Sequence, residues 1–169
     1  MTKFLTLCLM ITFLSCQSES RKTLSEGLLT TPRGESIKTR LAITATEQEQ
    51  GLSGVQPADF DDDQGMLFYY RDESDKFFWM PDTYFDLDLF YLDQNLVVLD
   101  IVRKLPHHKG RHNEALIPRA RGVWCRHTLE MKAGSKIASG IQIGEKLSWK
   151  GNGTLEEIVS KVQNPQSDK

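Results

Sequence analysis

The chain has 169 residues, of which 26% are charged and 39% hydrophobic, and its formal net charge is −2. That length suits one domain that buries around two thirds of its unfolded surface, which excludes a miniature fold dependent on disulfides or metal. Three cysteines, Cys8, Cys16 and Cys125, are too few for a disulfide framework.

The opening MTKFLTLCLMITFLSC sets one positive charge, Lys3, before an apolar run from Phe4 to Leu14 and then Ser15-Cys16. This run is too short to span a bilayer as a mature helix and has the layout of a secretory signal. A cysteine directly after a small residue resembles a bacterial lipoprotein signal, although Phe13-Leu14-Ser15 departs from the usual Leu-Ala/Ser-Gly/Ala box. Residues 1–15 are therefore predicted to be removed, leaving 154 residues with Cys16 as the lipidated first one. Each buried acyl methylene adds about 0.8 kcal/mol of membrane affinity. By the same resemblance, Gln17 in place of Asp favours the periplasmic face of the outer membrane. Cys125 is then the only thiol left, so no internal disulfide forms even in an oxidising compartment.

Residues 16–34 are polar, lack sustained periodicity and end in Pro-Arg-Gly, which reads as a flexible tether. A single β-rich domain is expected over 35–163, with a loose tail at 164–169. Ile37, Thr39, Leu41 and Ile43 alternate as a first strand. Two overlapping helix-start boxes, Thr44 to Glu47 and Thr46 to Glu49, predict a short helix to Leu52, stopped by Gly54. GMLFYY and KFFWM flank RDESD as a hairpin, and TYFDLDLFYL and LVVLDIVRK flank Asp93-Gln94-Asn95 as a second, with Asn in the left-handed turn position. GVWCRHTLEMK is a later strand, AGSKIASG a helical turn, EKLSWK a closing strand, and Thr154 starts a C-terminal helix. The expected fold is mainly β (α+β): a compact antiparallel, partly closed barrel or rolled sheet with two or three short helices. In the strand after Thr83, Phe85, Leu87, Leu89 and Tyr91 share one face, and Asp86, Asp88, Phe90 and Leu92 share the other.

TATEQEQGLSG, GMLF, FFWMPDTYFDLDLFYLD and HTLEMKAG with GIQIGE resemble, in order and spacing, the domain-of-unknown-function family 192, over roughly residues 36 to 150. The resemblance implies a compact β-rich domain, often secreted or lipid-anchored in prokaryotes, and no established activity. Its signature residues fall on Gly51, Leu52, Gly65, Met66, Phe68, Trp79, Met80, Thr83, Leu87, Asp88, Leu129, Glu130 and Gly134. The family's usual arginine is missing from Gly51-Leu52-Ser53-Gly54-Val55 and its usual lysine from Trp79-Met80-Pro81-Asp82-Thr83. Asp86 stands where relatives often have proline. If the arginine and lysine bind an anion in relatives, this chain has lost or moved that site.

Asp86 and Asp88, two apart on one strand face with Asp82 nearby, suit a hard cation or a general acid–base pair. The plainer role for Asp88 is to accept hydrogen bonds that fix a strand crossing, and a lone inward Glu130 is expected to be satisfied in the same way. His107, His108 and His112 lie in a loop that could hold zinc or copper with those aspartates, but no helical His-x-x-x-His completes a site. Cys125 and His127 are expected on one strand face, the thiol buried rather than nucleophilic.

Charge is unevenly distributed. Fourteen acids and two basic residues lie between Glu47 and Asp100; seven Lys or Arg, one acid and all four histidines lie between Arg103 and His127. Arg103, Lys104, Lys109, Arg111, Arg119, Arg121 and Arg126, if convergent, would attract an anionic envelope component; otherwise they neutralise the acidic half. The sequence reading is a lipid-anchored, non-enzymatic binding module for an anionic or carbohydrate ligand or an envelope protein. Trp79, Asp82, Thr83, Asp86 and Asp88 would line its pocket, with His107, His108, Lys109 and Arg111 as the loop. No cofactor and no nucleic acid are expected. The alternative is a metal-assisted hydrolase using Asp86, Asp88, His107, His108 and His112.

Overall fold

In the computed structural model, residues 26–151 and 153–163 are described; the expected signal, Cys16 and the tail at 164–169 lie outside them. Seven strands form one sheet in the order β6-β5-β8-β3-β2-β1-β9. These are β1 (Glu26–Thr30), β2 (Ser36–Ala42), β3 (Gln64–Phe68), β5 (Leu87–Leu92), β6 (Val98–Leu105), β8 (His127–Lys132) and β9 (Ser148–Lys150). A separate two-stranded ribbon pairs β4 (Ser74–Lys76) with β7 (Val123–Cys125). The mainly β expectation holds, with three short α-helices, α1 (Ala45–Gln50), α2 (Lys136–Gly140) and α3 (Leu155–Gln163).

The sheet is mixed rather than wholly antiparallel, because β2 and β3 run parallel. It is not a closed barrel either. A flat seven-stranded sheet would hold its edges roughly 29 Å apart. Here the residues leading into β9 reach those leading into β6: Val98 N–H donates to Glu145 O (2.9 Å), Gly144 N–H to Val98 O (2.8 Å) and Leu147 N–H to Leu96 O (3.0 Å). The sheet is thus rolled, and its edges meet at one end only.

Residues 26–34 do not belong to a tether. β1 pairs with both β2 and β9, and Leu29 is fully buried. Five residues offer too few alternations to read as a strand by themselves. The expected GMLFYY–KFFWM hairpin is also absent: the ladder position beside β3 is filled by β8, and β4 leaves the sheet to pair with β7. The second hairpin forms as β5–β6. Its turn is held by Asp93 Oδ1, which accepts from Asn95 N (2.7 Å) and Val97 N (2.8 Å), and the left-handed residue is Leu96 (φ 63°), not Asn95. α1 starts on the expected capping box: Thr44 Oγ1 accepts from Glu47 N and Glu47 Oε2 from Thr44 N. It stops two residues early, at Gln50, because Gly51 takes φ 48°.

Both faces of the sheet are covered. Leu41, Leu67, Phe90, Leu92 and Leu129 pack on one side beneath Ala138, Leu155 and Val159 of α2 and α3. Met66, Phe68, Leu87, Leu89 and Tyr91 pack on the other, beneath Phe78 and Met80. Every residue of β5 is therefore buried, and the alternation read from the sequence delivers Asp88 into the interior. There Asp88, 2% exposed, accepts from Arg103 Nη1 (2.9 Å) and Lys104 N (2.8 Å). The same guanidinium donates to Ala138 O (2.7 Å) and Ile141 O, and lies over the Phe90 ring. This supplies the carbonyls at the end of α2 with a charged donor and ties the helix to the sheet.

Removing the Asp88 carboxylate leaves Lys104 N without its acceptor and Arg103 without its counter-charge. Asp88→Ala is expected to lower unfolding free energy by about 3 kcal/mol in urea titration, and Asp88→Asn by less. Equal midpoints for wild type and Asp88→Ala would contradict the assignment.

Candidate functional site

The stretch from Phe77 to Asp86 has little regular structure, and the loop from Pro106 to His112 packs directly on it. Asp82 N–H donates to Gly110 O (2.8 Å) and Thr83 N–H to His108 O (3.0 Å). Thr83 Oγ1 donates to Met80 O and accepts from His108 N, both at 3.0 Å. Asp82, in the left-handed region at φ 53°, has Oδ1 accepting from Tyr84 Oη (3.0 Å) and Gly110 N (3.1 Å). Asp86 Oδ1 accepts from His107 N (2.9 Å) and pairs with His107 Nδ1 (2.7 Å); these contacts hold its carboxyl below the usual range. Arg111 Nη2 donates to Ser53 Oγ (3.1 Å), and His108 Nε2 lies 3.4 Å from His112 O. Lys109 is exposed.

The structure thus brings the aspartate segment and the histidine loop together, as the sequence suggested. Their polar atoms, however, are engaged with one another in fixing the loop. Asp86 and Asp88 do not share a site, since one meets His107 and the other Arg103. Among the described residues no three His, Cys, Asp or Glu side chains gather as a metal site, so Asp86, Asp88, His107, His108 and His112 do not converge. The basic stretch is likewise drawn into the fold. Arg103 pairs with Asp88, Arg119 with Glu114 (2.8 Å) and Arg121 with Asp100 (2.7 Å), while Arg126 donates to Tyr70 O. These contacts fit the neutralising reading of the charge asymmetry.

Cys125 and His127 do not share a face. The strand expected as continuous breaks at Arg126 into β7 and β8. Cys125 packs beside Thr128 in one core, and burial pushes its thiol pKa up. His127 stacks on Tyr69 on the other side, and its Nδ1 accepts from Tyr70 N.

The cavity that matters lies under Trp79. The carboxyl end of α1, Phe68 of β3, Leu87 of β5 and the stretch 77–83 surround a cleft of about 120 Å³, into which β8 presents Glu130. Trp79 and Thr83 of the sequence-predicted site line this cleft; Asp82, Asp86, Asp88, His107, His108, Lys109 and Arg111 do not. Phe78 and Met80 point into the core, while their neighbours Phe77 (72% exposed) and Trp79 (42% exposed) face outward. Phe77 lies across Gly122, where an added Cβ would come within 2.4 Å of the ring. Beyond this aromatic wall is a second groove of about 310 Å³, lined by Phe77, Trp79, Glu114 and Arg119, with the Arg119 guanidinium 5.3 Å from the Trp79 ring centroid.

Glu130 was expected to be satisfied structurally, and it is not. It is only 4% exposed, and no hydrogen bond or ion pair reaches its carboxyl among the described residues. Asp63 Oδ1 is the sole unpartnered side-chain oxygen sealed from solvent among those residues, so the Glu130 carboxyl opens on the cleft. Desolvation pushes its pKa from 4.5 up to about 8. The sequence signal was present in HTLEMK. When both faces of a strand are buried, an acid on it needs a donor, and none of the neighbouring strands carries a basic residue opposite it: Glu130 is registered against Met66 and Leu89.

The geometry defines a rolled mixed-sheet domain with a buried-acid cleft. Its sequence from residue 28 to 149 matches the model of the DUF192 family, described as "Uncharacterized ACR", and the chain belongs to that family. No match is found among curated proteins. Among solved structures, it is similar to a Sinorhizobium meliloti 1021 protein named for a suggested role as a transcription regulator (TM-score 0.59, 22% identity, covering 77% of this chain and 98% of that one). It is also similar to a Novosphingobium aromaticivorans DSM 12444 protein of unknown function (TM-score 0.59, 24% identity, covering 75% and 85%). At these identities the likeness establishes the fold alone.

A carboxyl whose pKa is higher folded than unfolded binds more protons in the native state, so its contribution to stability falls as pH rises from 4.5 to about 8. Glu130→Gln is therefore expected to raise the melting temperature relative to wild type, by an increment that grows between pH 5 and pH 8 and then levels off. An increment independent of pH would show that Glu130 ionises normally.

Proposed function

We propose that this protein is a non-enzymatic ligand-binding module of the cell envelope, anchored through lipid on Cys16, and that it takes a small molecule into the cleft beneath Trp79. The observation that carries the binding reading is the unpartnered Glu130 carboxyl at an open cavity. A buried polar group without a partner costs roughly 1–3 kcal/mol, and a ligand that supplies the missing hydrogen bond recovers that cost on binding. The walls add apolar and aromatic surface around one convergent polar group, the general layout of a small-molecule site. By size, the cleft's 120 Å³ corresponds to roughly four waters at about 30 Å³ each.

The anchoring reading is supported by the order of Lys3, the apolar run and Ser15-Cys16. With the loop 106–112 hydrogen-bonded to residues 82–86 and three arginines in ion pairs, the cleft supports ligand binding better than the basic stretch does.

Two measurements test the proposal. Cys16→Ser is expected to move the protein from the membrane fraction to the soluble envelope fraction; unchanged partition would remove the anchor. In an amide NMR titration of the mature chain with a fragment set spanning neutral, anionic and cationic molecules, at least one class should shift resonances of Gly51, Phe78, Trp79 and Glu130. If no class perturbs those residues, the cleft is not a binding site.

A further inference from the structure

We infer that the cleft under Trp79 is a receptor for an organic ammonium group, with Glu130 as its counter-charge and the surrounding rings as its cage. The inference rests on the proposal that the cleft binds a small molecule, and it names the class.

The charged side chains that line the cleft are of one sign, whereas Arg111, Lys76 and Arg119 contact its lining residues Ser53, Tyr70 and Trp79 without lining it themselves. Its lining includes two carboxyl groups, Glu49 and Glu130, and no Lys, Arg or His. Gln48, Glu49 and Gln50, the last residues of α1, also line it, so the negative end of that short helix borders the space. An anion would meet no counter-charge among the lining residues. No third carboxylate, imidazole or thiol joins Glu49 and Glu130 in the lining, and no cluster of three such groups occurs among the described residues.

The remaining wall is aromatic, with Phe68, Tyr70, Phe78 and Trp79 among its rings. Ring faces are electron-rich and attract a cation that carries its own apolar methyl groups, and a box of such rings with a carboxylate is how quaternary ammonium is recognised. One cation–ring contact of this kind already exists next door: Lys76 Nζ lies 3.8 Å from the Tyr70 ring centroid. That ammonium is held by Ser74 Oγ (2.6 Å) and Asp72 O (3.4 Å), and Glu130 is not among its partners.

The titratable groups facing Glu130 from the packed elements are Glu49 from α1, Tyr70 beyond β3 and Tyr91 from β5, with Cys125 of β7 beside the tyrosines. Burial pushes both phenols and the thiol upward, so all three are neutral at physiological pH. Glu130 therefore has no internal cation to ionise it, and an incoming ammonium supplies that charge and displaces the proton to solvent. Apparent affinity should then rise about tenfold per pH unit below about pH 8 and level off above it.

Calorimetry on the mature chain decides the matter with choline and its uncharged isostere 3,3-dimethylbutan-1-ol, at pH 6.5 and 8.5. Choline should bind more tightly at pH 8.5, and should release close to one proton per site at pH 6.5 and much less at pH 8.5. The isostere should bind about tenfold or more weakly. Glu130→Gln, which relieves a buried acid and should fold, is expected to abolish the preference for choline; Trp79→Ala, at an exposed position, should weaken choline several-fold. Equal or tighter binding of the isostere, choline affinity unchanged in Glu130→Gln, or no choline binding at pH 8.5 would each overturn the cation assignment. An isostere that binds in the cleft while choline does not would leave the binding module standing and remove only its ligand class.

Discussion

Burial on both faces of the central strands is the constraint from which the rest follows. β5 and β8 lie inside a seven-stranded sheet with helices on one side and the 77–83 stretch on the other, so neither strand has a wet face. A polar side chain placed there by alternation has three options: an internal partner, a neutral form, or an opening to a cavity. Asp88 takes the first, with Arg103 and Lys104 N. His127 takes the second as well as the first, since burial drives its pKa down to about 4 while its ring accepts from Tyr70 N. Glu130 takes the second and third. The three residues sit within two neighbouring strands, yet their fates differ according to whether a donor arrives from a third element.

The same constraint separates what could be read in the sequence from what could not. Local rules were legible: the Thr44–Glu47 box, the β5–β6 hairpin, and the alternation that put Phe90 and Asp88 on one face. Each depends on residues within one or two turns of chain. Non-local pairing was not. RDESD looks like a hairpin turn because its flanks are apolar, but β3 pairs across about sixty residues with β8, and nothing within GMLFYY encodes that choice. β1 was hidden because one buried leucine in five residues has no period. At the site, Trp79 and Thr83 were legible from the signature around them. The lack of a side-chain or backbone donor to Glu130 among the described residues was not, since a missing partner is a property of tertiary packing rather than of spacing.

Charge tells a similar story. The acidic half and the basic half of the chain are separated in sequence but interleaved in space, and their meeting points are specific: Asp88 with Arg103, Asp100 with Arg121, Asp86 with His107. The exposed pairs add little free energy individually. Their effect is positional. Asp86 and Thr83 clamp the loop 106–112, and Arg111 reaches Ser53 just beyond α1, so the lining residues Thr83 and Ser53 are braced by loop residues, His108 and Arg111, that do not line the cleft. Residues that suggested a metal or anion site in the sequence are thereby part of the scaffold around the cleft.

That bracing bears on why an unpartnered acid is tolerated. A core that could relax would bring a hydroxyl or amide to Glu130, or collapse onto it. Here the walls are held by independent means: Phe78 by edge contacts with Phe68 and Tyr91, Pro81 O by the Ser53 hydroxyl, and Met80 N by Pro118 O. None of those contacts has spare donor capacity aimed at the carboxyl. The arrangement keeps Glu130 neutral and unsatisfied while preserving the room beside it, and it makes the site most responsive to a guest that can both fill apolar space and ionise a carboxylic acid. A neutral guest does the first alone. A cation with methyl groups does both, and its gain over a neutral analogue comes from the electrostatics of a low-dielectric pocket that the sheet's double burial creates.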